Sequence, residues 1–229
     1  MERIYDCAVD TDLLTGMRLA KVSLGRHELV VFPTDTVYGL GCDAFSAKAV
    51  ESLLAAKGRG RQSPPPVLIA NLATMRALAE FVPEAAVKLA ETFWPGALTL
   101  ILRSQPSLNW DLGDTEGTVA LRMPDHKIAL ALLEEVGPMA VSSANLTGEP
   151  AAVTCAQAEQ YLGAKVKVYL DGGASPKGES STILDLTSLT PEHDSDPDSA
   201  KGKIRVVRQG ALSIDKIRSV VGAMLEAHD

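Results

Sequence analysis

The sequence has few aromatic residues and no excess of positive charge. Aromatic residues make up only 4% of its 229 residues, which argues against an RNA-binding surface that stacks bases on exposed Phe and Tyr side chains. The formal net charge is −7, so the field of the whole molecule does not attract nucleic acid. A polyanionic ligand would therefore bind at a local cluster of cations, which makes the position of each arginine informative.

Residues that form disulfides or hold metal ions are also scarce. The cysteines, Cys7, Cys42 and Cys155, lie far apart without a C-x-x-C pair, which argues against a disulfide framework or a zinc site and fits a reducing compartment. The histidines are scattered and no H-E-x-x-H motif occurs, so we expect no protein-bound transition metal. No apolar signal region opens the chain and no apolar run approaches membrane-spanning length. We therefore predict a cytoplasmic protein with no membrane partner.

What the sequence does have is a mixture of strand and helix patterns along its whole length. Hydrophobic residues make up 46% of the chain, which is enough for one sizeable core. No internal repeat or convincing linker interrupts the patterns, which favours a single α/β domain with a mixed parallel and antiparallel sheet and flanking helices. We expect this domain to span residues 1–229, with its core at about 11–213 and a mobile surface loop at 187–203, where Pro and Asp are frequent.

The stretch from 29 to 41 is the first candidate for a ligand site. Residues 29–32 form an apolar run that predicts a buried strand, and Pro33 marks its end. Two hydroxyls, a carboxylate and a phenol follow in residues 34–38, and Gly39 and Gly41 allow unusual backbone angles or a close approach. Buried strands that end in short polar turns often hold ligands in α/β sheets. The alternative is an ordinary turn capped by Thr and Asp.

A flexible cationic segment, Lys57-Gly58-Arg59-Gly60-Arg61, follows the next predicted helix. The backbone N–H groups of a glycine-containing loop and the guanidinium groups of arginines both suit phosphate oxygens. The alternative is a solvated turn in which Lys57 and Arg59 complement the C-terminus of the helix. The common phosphate fingerprints, G-x-x-x-x-G-K-[ST] and G-x-G-x-x-G at a strand-to-helix turn, are absent.

Several predicted strands end in polar residues that a sheet can bring together on one rim. These residues are Thr34, Thr36, Thr118, Arg122, Ser143, Asn145, Ser181 and Arg208. The pair Ser142-Ser143 lacks the G-x-S-x-G setting of a nucleophile, and no histidine is obviously placed as its base. Hydrogen bonding to ligand oxygens is therefore a better interpretation of these hydroxyls than covalent catalysis.

Six sequence blocks follow one another in an order that indicates a family. The blocks are FPTDTVYGL (32–40), KGR (57–59), WPGALT (94–99), VALRMP (119–124), SANLTG (143–148) and RQG (208–210). Together they resemble the YrdC-like threonylcarbamoyl-AMP synthase family over roughly residues 11–213. The resemblance implies a YrdC-like fold, with a twisted mixed sheet and a concave ligand site. The chain is most similar to the family's single-domain form.

The resemblance also implies a reaction. L-threonine and bicarbonate form a carbamate, which attacks the α-phosphorus of ATP to give threonylcarbamoyl-AMP and pyrophosphate, normally with Mg²⁺. A downstream tRNA threonylcarbamoyl transferase then moves the threonylcarbamoyl group to an adenosine of tRNA, and weak RNA binding is a further expectation. This reaction suits the residues above because it needs little acid–base chemistry and much positioning of anions.

Carried over by resemblance, roles fall on individual residues. The implied threonine contacts are Thr36, Arg122, Ser143 and Ser181. The implied ATP contacts are Lys57, Arg59, Ser63, Thr118, Asn145 and Arg208, of which Lys57 and Arg59 are also the implied catalytic residues; no residue is implied as a metal ligand. Each has a structural alternative: Thr36 can cap a turn, Arg122 can pair with Asp125, and Ser143 can bind local backbone.

The sequence departs from the family pattern at several positions. Gly60 and Gln209 stand where the family has proline, and Ala70 stands where it often has a histidine that contacts threonine. The proline run 64–66 leaves the alignment of Ser63 open, and Val153 and Thr154 are alternatives for a further ATP contact. Two other functions remain: a non-catalytic RNA- or ribosome-binding module, and a carbamoyl-transfer domain that handles a related adenylate.

Overall fold

The structure is a computed structural model that describes residues 3–191 and 202–226. Within these residues the chain forms ten strands in a single sheet and seven α-helices. The strands are β1 (Ile4–Asp6), β2 (Val30–Phe32), β3 (Gly39–Asp43), β4 (Val67–Leu68), β5 (Leu98–Arg103), β6 (Thr118–Arg122), β7 (Met139–Ser143), β8 (Val168–Asp171), β9 (Thr182–Asp185) and β10 (Arg205–Arg208). The helices are α1 (Asp10–Gly25), α2 (Ala47–Lys57), α3 (Leu72–Leu78), α4 (Glu84–Phe93), α5 (Lys127–Val136), α6 (Cys155–Leu162) and α7 (Ile214–Val221).

The sheet mixes parallel and antiparallel pairs, which confirms the predicted fold class. Its strand order is β1-β8-β2-β3-β7-β4-β6-β5-β9-β10. The pairs β1–β8, β2–β8, β4–β6 and β5–β9 are parallel. The pairs β2–β3, β3–β7, β4–β7, β5–β6 and β9–β10 are antiparallel.

Helices cover both faces of the sheet, and the residues of β2 show how the core divides. Val30 and Phe32 belong to one buried cluster, to which α1 and α5 contribute. Val31 belongs to the larger cluster, which includes Leu53 of α2 and Leu89 of α4. Successive side chains of a strand point to opposite faces, so a single apolar run contributes to both halves of the core. Each such fully buried side chain contributes about 1.5–3 kcal/mol to folding.

The ends of α2 follow from local sequence and deliver the cationic segment. Ser46 is the N-cap of this helix, and its side chain accepts a hydrogen bond from the backbone N of Ala49 (3.2 Å). Gly58 ends the helix in the left-handed conformation with φ 70°. A serine at this position often caps a helix, but Ser213 stands at the N-cap position of α7 and its side chain makes no capping hydrogen bond.

Strand β3 corrects the prediction for the stretch 34–41, which was expected to be a turn throughout. The turn covers residues 33–38, and the chain then pairs with both β2 and β7. Gly41 is needed there for close packing, because a Cβ atom would lie 2.6 Å from Met139 Cε and 2.7 Å from Phe32 Cε1. Glycines carry no apolar pattern, so the sequence gives no strand signal where β3 forms.

The predicted mobile loop at 187–203 lies partly outside the described residues, which omit 192–201. Its ends are packed: Leu189 is buried, and the Ser188 hydroxyl donates to the carbonyl of Lys203 (2.7 Å). Residues 1–2 and 227–229 are also not described.

Candidate functional site

A pocket of about 250 Å³ lies where polar residues follow several strands of the sheet. Its polar side chains come from Thr34, Thr36, Tyr38, Arg59, Thr99, Arg122, Ser142, Ser143, Ser180, Ser181 and Arg208. Six of these, Thr36, Arg59, Arg122, Ser143, Ser181 and Arg208, are residues that the sequence analysis assigned to a site.

The sheet explains why residues so far apart in the chain meet here. Ser143, the last residue of β7, pairs with Gly39 at the start of β3, directly after the turn that carries Thr36. Arg122, the last residue of β6, pairs with Leu68 of β4, which also lines the pocket. Pairing through β4 sets Arg122 level with Met139 at the start of β7, whereas Ser143 ends that strand, so the two side chains converge over one face of the sheet rather than at one rim.

Arg122 is held on three sides at the base of the pocket. Its Nε donates to the carbonyl of Gly96 (2.9 Å), and one Nη donates to Thr36 Oγ1 (2.9 Å). Its other Nη donates to Asp35 Oδ1 in an ion pair whose side chains are only 8% and 4% exposed. The structural alternative, an ion pair with Asp125, is not what the described residues form: Asp125 instead donates its backbone N–H to Asp35 Oδ1 (3.0 Å).

Asp35 is the negative centre of this network, and its charge is stabilised despite burial. Burial alone would raise the pKa of Asp35, but the Arg122 guanidinium, the Lys177 ammonium and the Asp125 N–H together hold that pKa below its usual value. Lys177 Nζ donates to Asp35 Oδ2 (2.9 Å). The carboxylate is therefore ionised at neutral pH and shared by two cations.

Lys57 lies immediately behind Ser143, with a side chain that is almost completely buried. Its Nζ donates to the carbonyl of Ser143, to Ser143 Oγ (3.3 Å) and to Asn145 Oδ1 (3.0 Å). Burial, and to a smaller extent the positive charge of Arg59, lowers the pKa of Lys57 to about 7. None of these three acceptors is a carboxylate, so the ammonium form has no counter-ion among them.

Arg59 and Arg208 add two more guanidinium groups to the pocket wall. Arg59 donates from Nε to Thr147 Oγ1 (3.1 Å) and from Nη1 to Ser142 Oγ (3.4 Å). Arg208 donates from Nε and Nη2 to the carbonyl of Ser181 (3.2 and 2.8 Å). Burial and the nearby Arg59 lower the pKa of Arg208, and each guanidinium keeps N–H groups beyond these contacts. The excess of positive charge suits an anionic ligand.

Two pairs of hydroxyls complete the polar wall. Thr34 Oγ1 lies 3.0 Å from Thr36 Oγ1 and donates to the carbonyl of Val37 (2.6 Å). Thr99 Oγ1 lies 2.8 Å from Ser181 Oγ, and both residues are buried. A hydroxyl that is both donor and acceptor can bind an amine or an oxygen of a ligand.

Some predicted contacts do not line this pocket in the described structure. The Thr118 hydroxyl donates to the carbonyl of Thr115 (2.8 Å) at the opposite end of β6 from Arg122. Ser63 lies in the 57–66 connection, where its backbone N donates to the carbonyl of Gly60 (3.2 Å). Asn145 uses its amide on the carbonyls of Leu146 and Glu149 (2.8 and 2.7 Å).

Thr154, one of the two alternatives for a further ATP contact, also has a structural role. It caps α6 in a capping box with Gln157. Arg61, the third cation of the loop, pairs with Asp111 at 2.8 and 2.9 Å and therefore anchors the loop to the 104–117 connection.

The sequence analysis assigned no role to Thr99 and Lys177, and it noted the Asp35 carboxylate only as part of a polar turn. Asp35 and Thr99 lie inside the blocks FPTDTVYGL and WPGALT, so their position beside assigned residues was the available signal. Lys177 lies in a glycine-rich connection without any motif, and only the folded chain shows that it reaches Asp35.

Neither a membrane span nor a protein metal site is found within the described residues. In the ranges 3–191 and 202–226, no helix is both long and apolar enough to cross a membrane. The same part of the chain contains no group of three or more His, Cys, Asp or Glu side chains arranged to hold a metal ion.

Comparison with known proteins places the chain among relatives of similar sequence. A relative from Mycobacterium leprae (strain TN) is 48% identical over 224 residues, which cover 98% of this chain and 96% of the relative. A protein of Bacillus subtilis (strain 168) named threonylcarbamoyl-AMP synthase is 38% identical over 205 residues, which cover 89% of this chain. That alignment covers 56% of the Bacillus protein, so this chain spans little more than half of its length.

Solved structures match the fold over nearly the whole chain. Sua5 of P. abyssi in complex with L-threonine superposes with a TM-score of 0.84 at 33% identity, covering 98% of this chain and 62% of that one. YciO of E. coli superposes with a TM-score of 0.72 at 25% identity, covering 88% of this chain and 93% of that one. The family model Sua5_yciO_yrdC, described as "Telomere recombination", matches residues 23–195. The chain therefore belongs to the Sua5/YciO/YrdC family.

Proposed function

We propose that this chain is an L-threonylcarbamoyladenylate synthase, which converts L-threonine, bicarbonate and ATP to threonylcarbamoyl-AMP and pyrophosphate. Relatives at 36% and 38% identity bear the name threonylcarbamoyl-AMP synthase. The observation that carries the proposal is the convergence of three arginines and several hydroxyls, from residues 34 to 208, on one pocket.

The amino acid binds at the base of this pocket. Arg122 pairs with its carboxylate, because a guanidinium fixed by three contacts offers its remaining N–H groups in a set direction. Thr36, Ser143 and Ser181 supply hydroxyls for its amine and its side-chain hydroxyl. A volume of about 250 Å³ suits an amino acid and the group that reacts with it.

The triphosphate binds toward the cationic segment. Arg59 and Arg208 lie on the pocket wall, and Lys57 lies directly behind it, so three cations surround the space in which charge is transferred. Asn145 orients Lys57, because its Oδ1 accepts a hydrogen bond from Nζ (3.0 Å), and it stays a predicted contact to the nucleotide. Mg²⁺ enters with ATP on the phosphate oxygens, because this ion commonly binds substrate phosphates and keeps several waters.

The chemistry follows from positioning. Bicarbonate carbon and the threonine amine form a C–N bond with loss of water, and a carbamate oxygen then attacks the α-phosphorus. The new P–O bond forms as the bond to the β-phosphate bridging oxygen breaks, and pyrophosphate leaves with that electron pair. Lys57 and Arg59 stabilise the negative charge that develops on the phosphates, and they hold the reactants in line.

We further propose that a second enzyme consumes the product. A mixed anhydride of a carbamate and AMP is reactive toward water, so a downstream tRNA threonylcarbamoyl transferase must consume it. We also propose a cytoplasmic location for this chain, because the proposed consumer of its product acts on tRNA.

The test is pyrophosphate release from a mixture of L-threonine, bicarbonate, Mg²⁺ and ATP. Omitting any one component should abolish the release, and mass spectrometry should detect threonylcarbamoyl-AMP. Release that is unchanged without threonine would contradict the proposal. Tight, strongly salt-dependent RNA binding without any pyrophosphate release would favour a non-catalytic RNA-binding module instead. Activity with carbamoyl phosphate in place of threonine and bicarbonate would favour a carbamoyl-transfer domain.

A further inference from the structure

The connection between β8 and β9, residues 172–181, folds over the turn that carries Thr36. Among the hydrogen bonds that join the two segments, three lie beside Thr36: Ser175 Oγ to the carbonyl of Thr34 (3.3 Å), Gly178 N to the carbonyl of Thr36 (3.0 Å) and Lys177 Nζ to Asp35 Oδ2 (2.9 Å). The same connection ends at Ser180 and Ser181 on the pocket wall. It therefore belongs to the site although no family block covers it.

Lys177 reaches the pocket only through Asp35. The Asp35 side chain is 4% exposed and the Arg122 side chain 8%, whereas the Lys177 side chain is 40% exposed. Asp35 Oδ1 accepts from Arg122, and Asp35 Oδ2 accepts from Lys177. The three side chains thus form a chain of alternating charge, with its buried end facing the pocket and its outer end near solvent.

The charges of Lys177, Asp35 and Arg122 together determine the net charge that a ligand meets at Arg122. If Arg122 were the only cation on Asp35, the carboxylate would offset the positive charge of the guanidinium at close range. With Lys177 present, two cations share one anion, and a net positive charge is left beside the pocket. A substrate carboxylate then completes a balanced set of two cations and two anions in a partly buried place.

We propose that Lys177 is a positioning residue for the amino-acid substrate, which acts through Asp35 to hold the Arg122 guanidinium in place and leave it a net positive charge. The proposal rests on the synthase function proposed above and adds a residue to it. Lys177 touches neither substrate, and its effect is confined to the ligand that pairs with Arg122.

The experiment measures pyrophosphate release against L-threonine and, separately, against ATP. The variants are Lys177→Met, Lys177→Arg and the control Lys167→Met, which removes an exposed lysine just before β8. For Lys177→Met we expect the KM for threonine to rise about fivefold to tenfold, after allowance for solvent screening of a lysine at this exposure. The kcat and the KM for ATP should stay within about twofold, Lys177→Arg should restore the wild-type value, and Lys167→Met should match the wild type.

The outcomes separate the inference from the function on which it rests. An unchanged KM for threonine in Lys177→Met overturns the inference, and so does an equal rise in the KM for ATP, which would mean that Lys177 acts on every anion. A lower thermal stability with a lower kcat and an unchanged threonine KM would assign Lys177 a purely structural role, which also overturns it. A wild-type protein that releases no pyrophosphate refutes the synthase function itself, and the inference with it.

Discussion

ATP binding should draw a proton onto Lys57. Burial lowers the pKa of Lys57 from 10.5 to about 7, which means that its surroundings destabilise the ammonium form by about 5 kcal/mol relative to water. At pH 8 the lysine of the free protein is therefore only about one-tenth protonated. Ser143 and Asn145 provide neutral oxygens to Lys57 but no negative charge.

A bound triphosphate reverses this balance. One negative charge about 5 Å from Nζ favours the ammonium form by about 3 kcal/mol at an effective dielectric constant of about 20. A triphosphate brings several such charges, so the pKa of Lys57 in the complex should return to about 9 or above. Binding at pH 8 should then take up about 0.8 to 0.9 proton per ATP, and binding at pH 7 should take up about 0.5.

Isothermal titration calorimetry in buffers with different ionisation enthalpies measures this number directly. The heat of ATP binding at pH 8 should change linearly with the buffer's ionisation enthalpy, and the slope gives the protons taken up. The phosphate groups of ATP contribute little at that pH because their last pKa is about 6 to 7. Lys57→Arg is the matched control, because an arginine stays protonated and should bind ATP with a slope near zero. A slope near zero for the wild type at pH 8 would refute the low pKa of Lys57 or its proximity to the phosphates.

Three further substitutions test the rest of the site. Arg59→Ala should lower pyrophosphate release by about 100-fold or more, because it removes a cation from the transferring phosphates. The free energy of unfolding should change by less than about 1 kcal/mol. Loss of cooperative unfolding would show that Arg59 is structural. Asp35→Asn should lower the free energy of unfolding in urea by about 3 kcal/mol, because it leaves the buried Arg122 without its charge partner; an equal midpoint and slope would contradict this. Thr99→Val should cost about 1–2 kcal/mol and raise the KM for threonine, because Ser181 loses its hydroxyl partner; an unchanged KM would remove the Thr99–Ser181 pair from the amino-acid site.

Strands and helices with a strong apolar pattern were predictable from the sequence. Leu13, Met17, Ala20 and Leu24 stand at helical spacing in the sequence and lie within α1, and Pro33 ends β2 as predicted. Strand β3 was not predictable, because its glycines are favoured by packing against Phe32 and Met139 rather than by any local preference. The three-residue strand β1 was missed for a similar reason, since its hydrogen bonds to β8 depend on a segment more than 160 residues away.

The residues that line the pocket were partly predictable from the sequence, but the contacts between their side chains were not. Six assigned residues meet in one pocket, and all of them except Ser181 lie within the six sequence blocks. The structural alternative for Arg122 was an ion pair with Asp125, whereas the fold pairs Arg122 with Asp35. Such pairings depend on distances between strand ends, which no single stretch of sequence encodes. Thr118 and Ser63 stay predicted contacts to the nucleotide, although neither lines this pocket.

The residues that line the pocket are spread along most of the chain, which has a consequence for biosynthesis. Arg208 follows Thr36 by more than 170 residues, and both line the pocket. In a polypeptide that is still being translated, the pocket wall is therefore incomplete until β10 has left the ribosomal exit tunnel and paired with β9. Fragments that stop before β10 should not bind threonine. Protection from protease by threonine can therefore report when β10 has paired with β9.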